Sequence, residues 1–282
     1  MNPRYPVYII SKGRATTGST ARVFHRLGIP YSIVVEPQEE EAYRATTRGG
    51  DVLVLPFSNL GQGGIPARNW VWDHATATGA ERHWIFDDNI TIFRRVHKNT
   101  IFPVGDGTFL RVVEDLVDRY ENVPMAGLQY QKFAPQRSML PPVYLNTRIY
   151  SMILLSNSET LRWRGRYNED TDLSLRFLKQ GKCTILVNAF IGDKVTTMVM
   201  KGGNTDELYK QTNNRREFAD ALAAQHPDVV KVVWKFGRWH HHVDYQPFAR
   251  NRLVMRPGII IPQGRDEYGL RLVPVDGTTD VR

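Results

Sequence analysis

The sequence predicts an α/β fold, a mainly parallel sheet flanked by helices. Strand-sized apolar runs alternate with stretches of helical period through the first ninety residues, and glycine or proline marks the junctions. The composition, 41% hydrophobic and 23% charged, is that of a folded chain rather than a disordered one.

Val7-Tyr8-Ile9-Ile10 reads as a strand and Lys12-Gly13-Arg14 as a loop, and Val23, Phe24 and Leu27 mark a helix that stops at Gly28. Residues 32–35 repeat the strand signal, 39–44 read as a helix, 52–55 as a third strand and 84–86 as a fourth. Between the last two, Pro66 suits a first helical position and Gly79 a helix end. The second half predicts helices over about 109–120, 171–180 and 206–225, apolar runs at 125–130 and 143–155, and a strand at 184–187. Gly202-Gly203-Asn204 and 257–269 read as loops. With no repeat or linker, residues 1–282 are read as one domain ending in a basic, aromatic-rich C-terminal extension.

Lys and Arg total 37 against 29 Asp and Glu, a formal charge of +8, which favours a polyanionic partner. No apolar run approaches the roughly 18 residues of a membrane span. Met1-Asn2-Pro3-Arg4 lacks a signal-peptide core, and Cys183 is the only cysteine, so a reducing, cytoplasmic location without membrane partners is expected.

Asp87-Asp88-Asn89 follows a strand directly and offers oxygen ligands for a hard divalent cation, or is simply a polar turn. Asn168-Glu169-Asp170-Thr171-Asp172 opens a helix, where its carboxylates are either caps or a general base. His240-His241-His242 lies in a basic, aromatic segment, and one imidazole there either completes a metal centre, manganese above magnesium, or belongs to a plain surface strand. Gly61-Gln62-Gly63-Gly64 ahead of Arg68 is a phosphate-approaching loop or a structural turn, and Ser11-Lys12-Gly13-Arg14 has the same two readings. Basic residues interleave with aromatics at 94–98, 162–166 and 231–256, a mixture that suits phosphate contacts with base stacking as well as a solvated surface.

In order, Ser11-Lys12-Gly13-Arg14, Val35-Glu36-Pro37, Gly64-Ile65-Pro66-Ala67-Arg68-Asn69 and Ile85-Phe86-Asp87-Asp88-Asn89 resemble a nucleotide-sugar glycosyltransferase of GT-A type. More narrowly, residues 7–14, 34–39 and 67–74 resemble the phage TET-associated glycosyltransferases, which place sugars on 5-hydroxymethylcytosine in phage DNA. The resemblance spans most of residues 5–245 and implies a GT-A-like sheet with a nucleotide-sugar-binding half (5–100), an acceptor and catalytic half (101–245) and the extension (246–282). It also implies a UDP-sugar donor, a Mn2+ or Mg2+ ion, a DNA acceptor and a functional link to a TET-like dioxygenase.

Carried over residue by residue, Asp88 is the chief metal ligand with Asn89 where a second Asp would stand, joined by His240 or His242. Asp170, then Glu169, matches the catalytic base. Ser11, Arg14 and Glu36 fall at the uridine, Arg68 at the diphosphate or sugar, and Asp87, in the D-x-D region, among the substrate- and nucleotide-binding residues. The mechanism expected is an inverting displacement in which Asp170 deprotonates the hydroxymethyl group. A metal-dependent nuclease or phosphoesterase, a nucleotidyltransferase and a non-catalytic DNA-binding protein are the competing readings.

Overall fold

The computed structural model describes residues 1–97, 100–134, 140–195, 215–260 and 264–265. The first half runs β1 (Val7–Ile10), α1 (Thr20–Leu27), β2 (Ser32–Val35), α2 (Glu40–Thr46), β3 (Asp51–Val54), α3 (Ile65–Ala77) and β4 (Arg82–Asp87). Then come β5 (Ile90–His97), β6 (Thr100–Pro103), α4 (Thr108–Val117), β7 (Met125–Tyr130), β8 (Val143–Leu145), β9 (Met152–Ser156), α5 (Glu169–Lys179) and β10 (Thr184–Lys194). Helix α6 (Arg215–Gln225) and the hairpin β11 (Val230–Lys235) with β12 (Arg238–Val243) complete the described elements.

A ten-stranded sheet in the order β3-β2-β1-β4-β9-β7-β10-β5-β6, with β8 also on β10, forms the centre. The four strands β3, β2, β1 and β4 are parallel, while β9 runs against both of its neighbours and β5 against β10. The expected α/β layering is therefore present, with its parallel part concentrated in the N-terminal half. Side chains alternate across the pleat as the strand period of two requires. Val7, Ile9, Trp84 and Phe86 enter one core with Phe24 of α1 and Leu110 of α4, whereas Tyr8 and Ile85 enter the other with Val71 and Trp72 of α3 and Leu173 and Phe177 of α5. Burial on both faces is why these strands read as continuous apolar runs.

Helix α1 ends as expected, with Gly28 at φ 65° and its N–H on the His25 carbonyl, while the Ile29 N–H bonds the Phe24 carbonyl. Gly127 allows a close strand crossing, since a Cβ there would sit 2.3 Å from the Met152 carbonyl oxygen.

Three details depart from the sequence reading. The single run at 143–155 is broken between β8 and β9, where Asn146 and Ser151 take positive φ values of 55° and 64°. Strand β10 runs on to Lys194, past the expected 187, because it exchanges β8 for β5 on one side while β7, across a bulge, stays paired on the other as far as Gly192. Strands β5 and β6 are absent from the sequence reading, β5 because Thr91, Arg95 and His97 are exposed along it and β6 because it is only four residues long. Residues 206–214 of the expected last helix, the loop at 202–204, Lys98 and most of 261–282 lie outside the described residues. Among the described residues no helix is long and apolar enough to cross a membrane.

Candidate active site

Parallel pairing sets the site. Ile10 of β1 lies opposite Asp87 of β4 and Val34 of β2, so the residues that follow these strands, Ser11, Asp88 and Glu36, meet at one carboxyl edge, where ligands of such sheets bind. The Asp87-Asp88-Asn89 turn is held through its backbone. Buried Thr20 donates its hydroxyl to the Asp87 carbonyl at 2.6 Å and accepts the Ile90 N–H at 2.9 Å, and the Ser19 and Thr20 N–H groups both reach the Asp88 carbonyl. The first turn of α1 thereby orients both carboxylates.

Asp88 is buried and points toward the loop after β1. The Ser11 hydroxyl donates to one carboxylate oxygen and the Arg14 guanidinium to the other, each at 2.6 Å. The Tyr43 hydroxyl meets the Ser11 hydroxyl at 2.6 Å and accepts the Arg14 N–H at 3.0 Å. Burial raises the Asp88 carboxyl above its ordinary value, outweighing the pull of Arg14 and Ser11. Ser11, Arg14, Tyr43 and Asp88 line a cavity of 510 Å³, within the range of small-ligand sites. A larger cavity of 740 Å³ lies away from these groups, against Arg95, Phe102 and Phe190.

Two oxygens, each with one donor, leave Asp88 with spare lone pairs. The neighbouring Asn89 donates its amide N–H to the Val195 carbonyl at 3.3 Å, and its buried Oδ1 has no partner. A carboxylate and a free amide oxygen are hard ligands that fit Mg2+ or Mn2+. Glu36 is held differently, accepting Lys12 Nζ at 2.9 Å, Gln38 Nε2 at 2.5 Å and the Asn59 N–H at 3.1 Å. Burial would raise its carboxyl, but these partners bring it below the ordinary value.

Asp87 turns the other way, between two cations, Arg68 NH2 at 3.1 Å and Lys194 Nζ at 3.3 Å. Burial opposes its ionisation, yet Lys194 and Arg68 prevail and hold it below its ordinary value. Arg68 is itself buried, its guanidinium 4.9 Å over the Trp163 ring, and Asn69 fixes Trp163 by exchanging side-chain and backbone hydrogen bonds with it. Glu169 and Asp170, in the first turn of α5, face the same guanidinium at 3.8 and 3.9 Å. Arg68 NH1 and Asp170 Oδ1 are both buried and both without a hydrogen-bond partner. Burial, reinforced by Glu169 and Asp87 and only partly countered by Arg68, pushes the Asp170 carboxyl up to about 7.

Asp172 belongs to a separate cluster. His226 at 2.8 Å, Arg164 through both oxygens and Arg176 at 3.4 Å saturate it. It ties α5 to the segment after α6.

The three histidines follow the pleat of β12. His240 and His242 share the face of Lys231, Val233, Lys235 and Arg238, where His240 accepts the Arg238 Nε–H at 3.0 Å and His242 is exposed. His241 is on the other face with Trp239 and Val243, and burial with Arg148 nearby pushes it down to about 4. Among the described residues no three His, Cys, Asp or Glu side chains converge as a ready metal cage. Sequence reasoning missed Thr20, Tyr43, Ser151, Trp163 and Lys194, whose Nζ also binds the Ser151 hydroxyl at 2.7 Å. Trp163 sits in the basic, aromatic run at 162–166 and the other four in no motif; helix and loop packing as well as strand order brings them to the site.

The sequence model of the TET-associated glycosyltransferases matches residues 5–203. The chain belongs to this family. It is a glycosyltransferase, and the nuclease, nucleotidyltransferase and non-catalytic readings are set aside. No curated protein matches it. Among solved structures, a glucosyl-3-phosphoglycerate synthase of Mycobacterium tuberculosis with Mg2+ and UDP is similar at 11% identity and a TM-score of 0.48, covering 86% of this chain and 88% of that one. A mycobacterial protein matches at 10% identity and 0.49, covering 88% of each chain. A putative nucleotide-diphospho-sugar transferase of Desulfovibrio desulfuricans matches at 11% identity and 0.40, covering 80% of this chain and 96% of its own.

Proposed function

We propose that this glycosyltransferase moves a sugar from a UDP-sugar to the hydroxymethyl group of 5-hydroxymethylcytosine in bacteriophage DNA, in the cytoplasm of the infected bacterium. The observation that carries the reading is Asp170, a carboxyl poised near neutrality whose orphaned Oδ1 stands 3.9 Å from the orphaned NH1 of Arg68. An acceptor oxygen placed between them would be held by Arg68 and relieved of its proton by Asp170.

In a single inverting displacement the acceptor oxygen attacks the anomeric carbon, the bond to the diphosphate breaks, and the electron pair leaves with UDP. The hydroxyl proton passes to Asp170. Ser11, Arg14, Glu36 and Tyr43 border the nucleotide, and Asp87 holds Arg68 and Lys194 in place beside the sugar and diphosphate. Mn2+ or Mg2+, held by Asp88 and Asn89, offsets charge on the diphosphate when bound. A TET-like dioxygenase that oxidises the methyl group of 5-methylcytosine in the same DNA would supply the hydroxymethyl group.

Duplex DNA containing 5-hydroxymethylcytosine, incubated with the protein, Mn2+ and a panel of UDP-sugars, tests the reading by nucleoside mass spectrometry. A hexose- or N-acetylhexosamine-sized gain on that nucleoside, lost on chelation, is expected. UDP release with no gain on the base would move the acceptor elsewhere, and neither product would reject the donor as well.

A further inference from the structure

The β11–β12 hairpin projects an unusual tip. Phe236 and Gly237 are its two turn residues, both with positive φ, 52° and 70°, the geometry of a two-residue hairpin turn in which Asn or Gly is the ordinary first residue. A bulky aromatic is a poor occupant of that conformation, and this one is 91% exposed, its ring meeting that of His240 edge-on at 6.2 Å. Trp234 beside it is 59% exposed.

The hairpin is also one-sided in charge. Cross-strand pairing sets Lys231 opposite His242, Val233 opposite His240 and Lys235 opposite Arg238, all on one face, and no acidic residue occurs from 229 to 243. The other face belongs to the body of the protein. Val230 and Val243 pack with Leu178 and Leu222, and Trp239 lies under Arg216 of α6 at 4.9 Å. The same helix α6 accepts at its Phe218 carbonyl the Asn168 side-chain N–H at 2.7 Å, and Asn168 directly precedes Glu169 and Asp170. The ribbon therefore stands at the margin of the candidate active site.

We infer that the β11–β12 hairpin is the duplex-DNA docking element, with Lys231, Lys235 and Arg238 on backbone phosphates and Phe236 inserted as a wedge between bases. The inference rests on the DNA acceptor proposed above. A two-stranded ribbon fits the major groove of B-form DNA, whereas the deep, narrow groove of A-form RNA excludes it. Apolar side chains entering a base step unstack it, and a base presented to a carboxylate must leave its stack.

The test uses the full chain, a fluorescent duplex of ordinary cytosine DNA for binding, and the same duplex with 2-aminopurine for unstacking. The triple variant Lys231→Ala/Lys235→Ala/Arg238→Ala is expected to lower the slope of log affinity against log salt by about 2 to 3, near 0.9 for each phosphate that is no longer neutralised. Phe236→Asn restores an ordinary turn residue, so its melting temperature should not fall, but the 2-aminopurine signal seen with the parent should disappear. Parent-like slope and fluorescence in these variants, with 5-hydroxymethylcytosine DNA still glycosylated, would overturn the hairpin while leaving the acceptor standing. A parent protein that binds no duplex and glycosylates no 5-hydroxymethylcytosine DNA would remove both. Binding of phosphatidylserine vesicles through the same residues, with DNA binding unchanged, would make the hairpin a membrane element instead and overturn the inference.

Discussion

Asp170 and Asp172 leave the first turn of α5 in different directions, one toward Arg68 at the sheet edge and the other toward His226 and Arg164. Asp172 is 1% exposed with His226, Arg164 and Arg176 as partners; burial alone would raise it, but His226 and the arginines hold it below its ordinary value. Asp170 is 19% exposed, faces its arginine across 3.9 Å and keeps one buried oxygen unbonded. Both carboxylates are withdrawn from water, which raises each, and only Asp172 has enough charged donors to bring it back below its ordinary value. Saturation by donors separates a structural acid from one able to take a proton, and the unsaturated one costs stability where it sits.

The sharpest break of this comparison is Asp170→Asn, expected to lower turnover by roughly 10²–10⁴-fold, the usual worth of a general base. Its stability should move the other way. The native carboxyl binds its proton more readily than the unfolded one, so between its ordinary value and about 7 stability falls as pH rises. The amide cannot ionise, and the variant should melt higher than the parent at pH 8 by calorimetry.

Asp172→Ala is the reverse case. It leaves Arg164, Arg176 and His226 around an empty position, and urea unfolding is expected to show a loss of about 3–5 kcal/mol. The parent contribution, from a depressed carboxyl, is present at neutral pH and lost as pH falls below the ordinary aspartate range. Activity per folded molecule should stay near parental, and a loss as large as that of Asp170→Asn would erase the distinction.

The pH profile sharpens the same contrast. Initial rates at low substrate should rise close to tenfold per pH unit up to about 7 and then level, because the base works only when deprotonated. A profile flat from pH 5 to 8 would take Asp170 out of the role.

Thr20→Val should have the smallest effect. It removes the hydroxyl that links the Asp87 carbonyl to the Ile90 N–H, at a cost of about 1–3 kcal/mol by thermal unfolding, with turnover reduced because the turn carrying Asp88 loosens.

The motif residues were legible because their elements announce themselves locally. The run at 7–10, the Gly28 stop and the acids after β4 each owe their conformation to neighbours in sequence, and parallel pairing of β1 with β4 needs only that alternation to be foreseen. The partition of the acids was not legible. Asp170 and Asp172 have the same side chain in the same helical turn, and what divides them is Arg68 from α3 on one side and His226, 54 residues later, on the other. The histidines followed the same pattern, since alternation puts His240 and His242 on one face but only the packing of α6 and Arg148 says that the face turned inward belongs to His241.

By itself, then, the sequence determined the layered α/β plan, the sheet edge where Ser11, Glu36 and Asp88 meet and the family, because strand period, helix stops and contiguous motifs are local quantities. Tertiary structure alone decided which carboxylate is left short of donors, which cations hold Asp87, and which face of the hairpin is open. Protonation and exposure depend on groups brought together from distant positions, and no spacing along the chain encodes the distances between them.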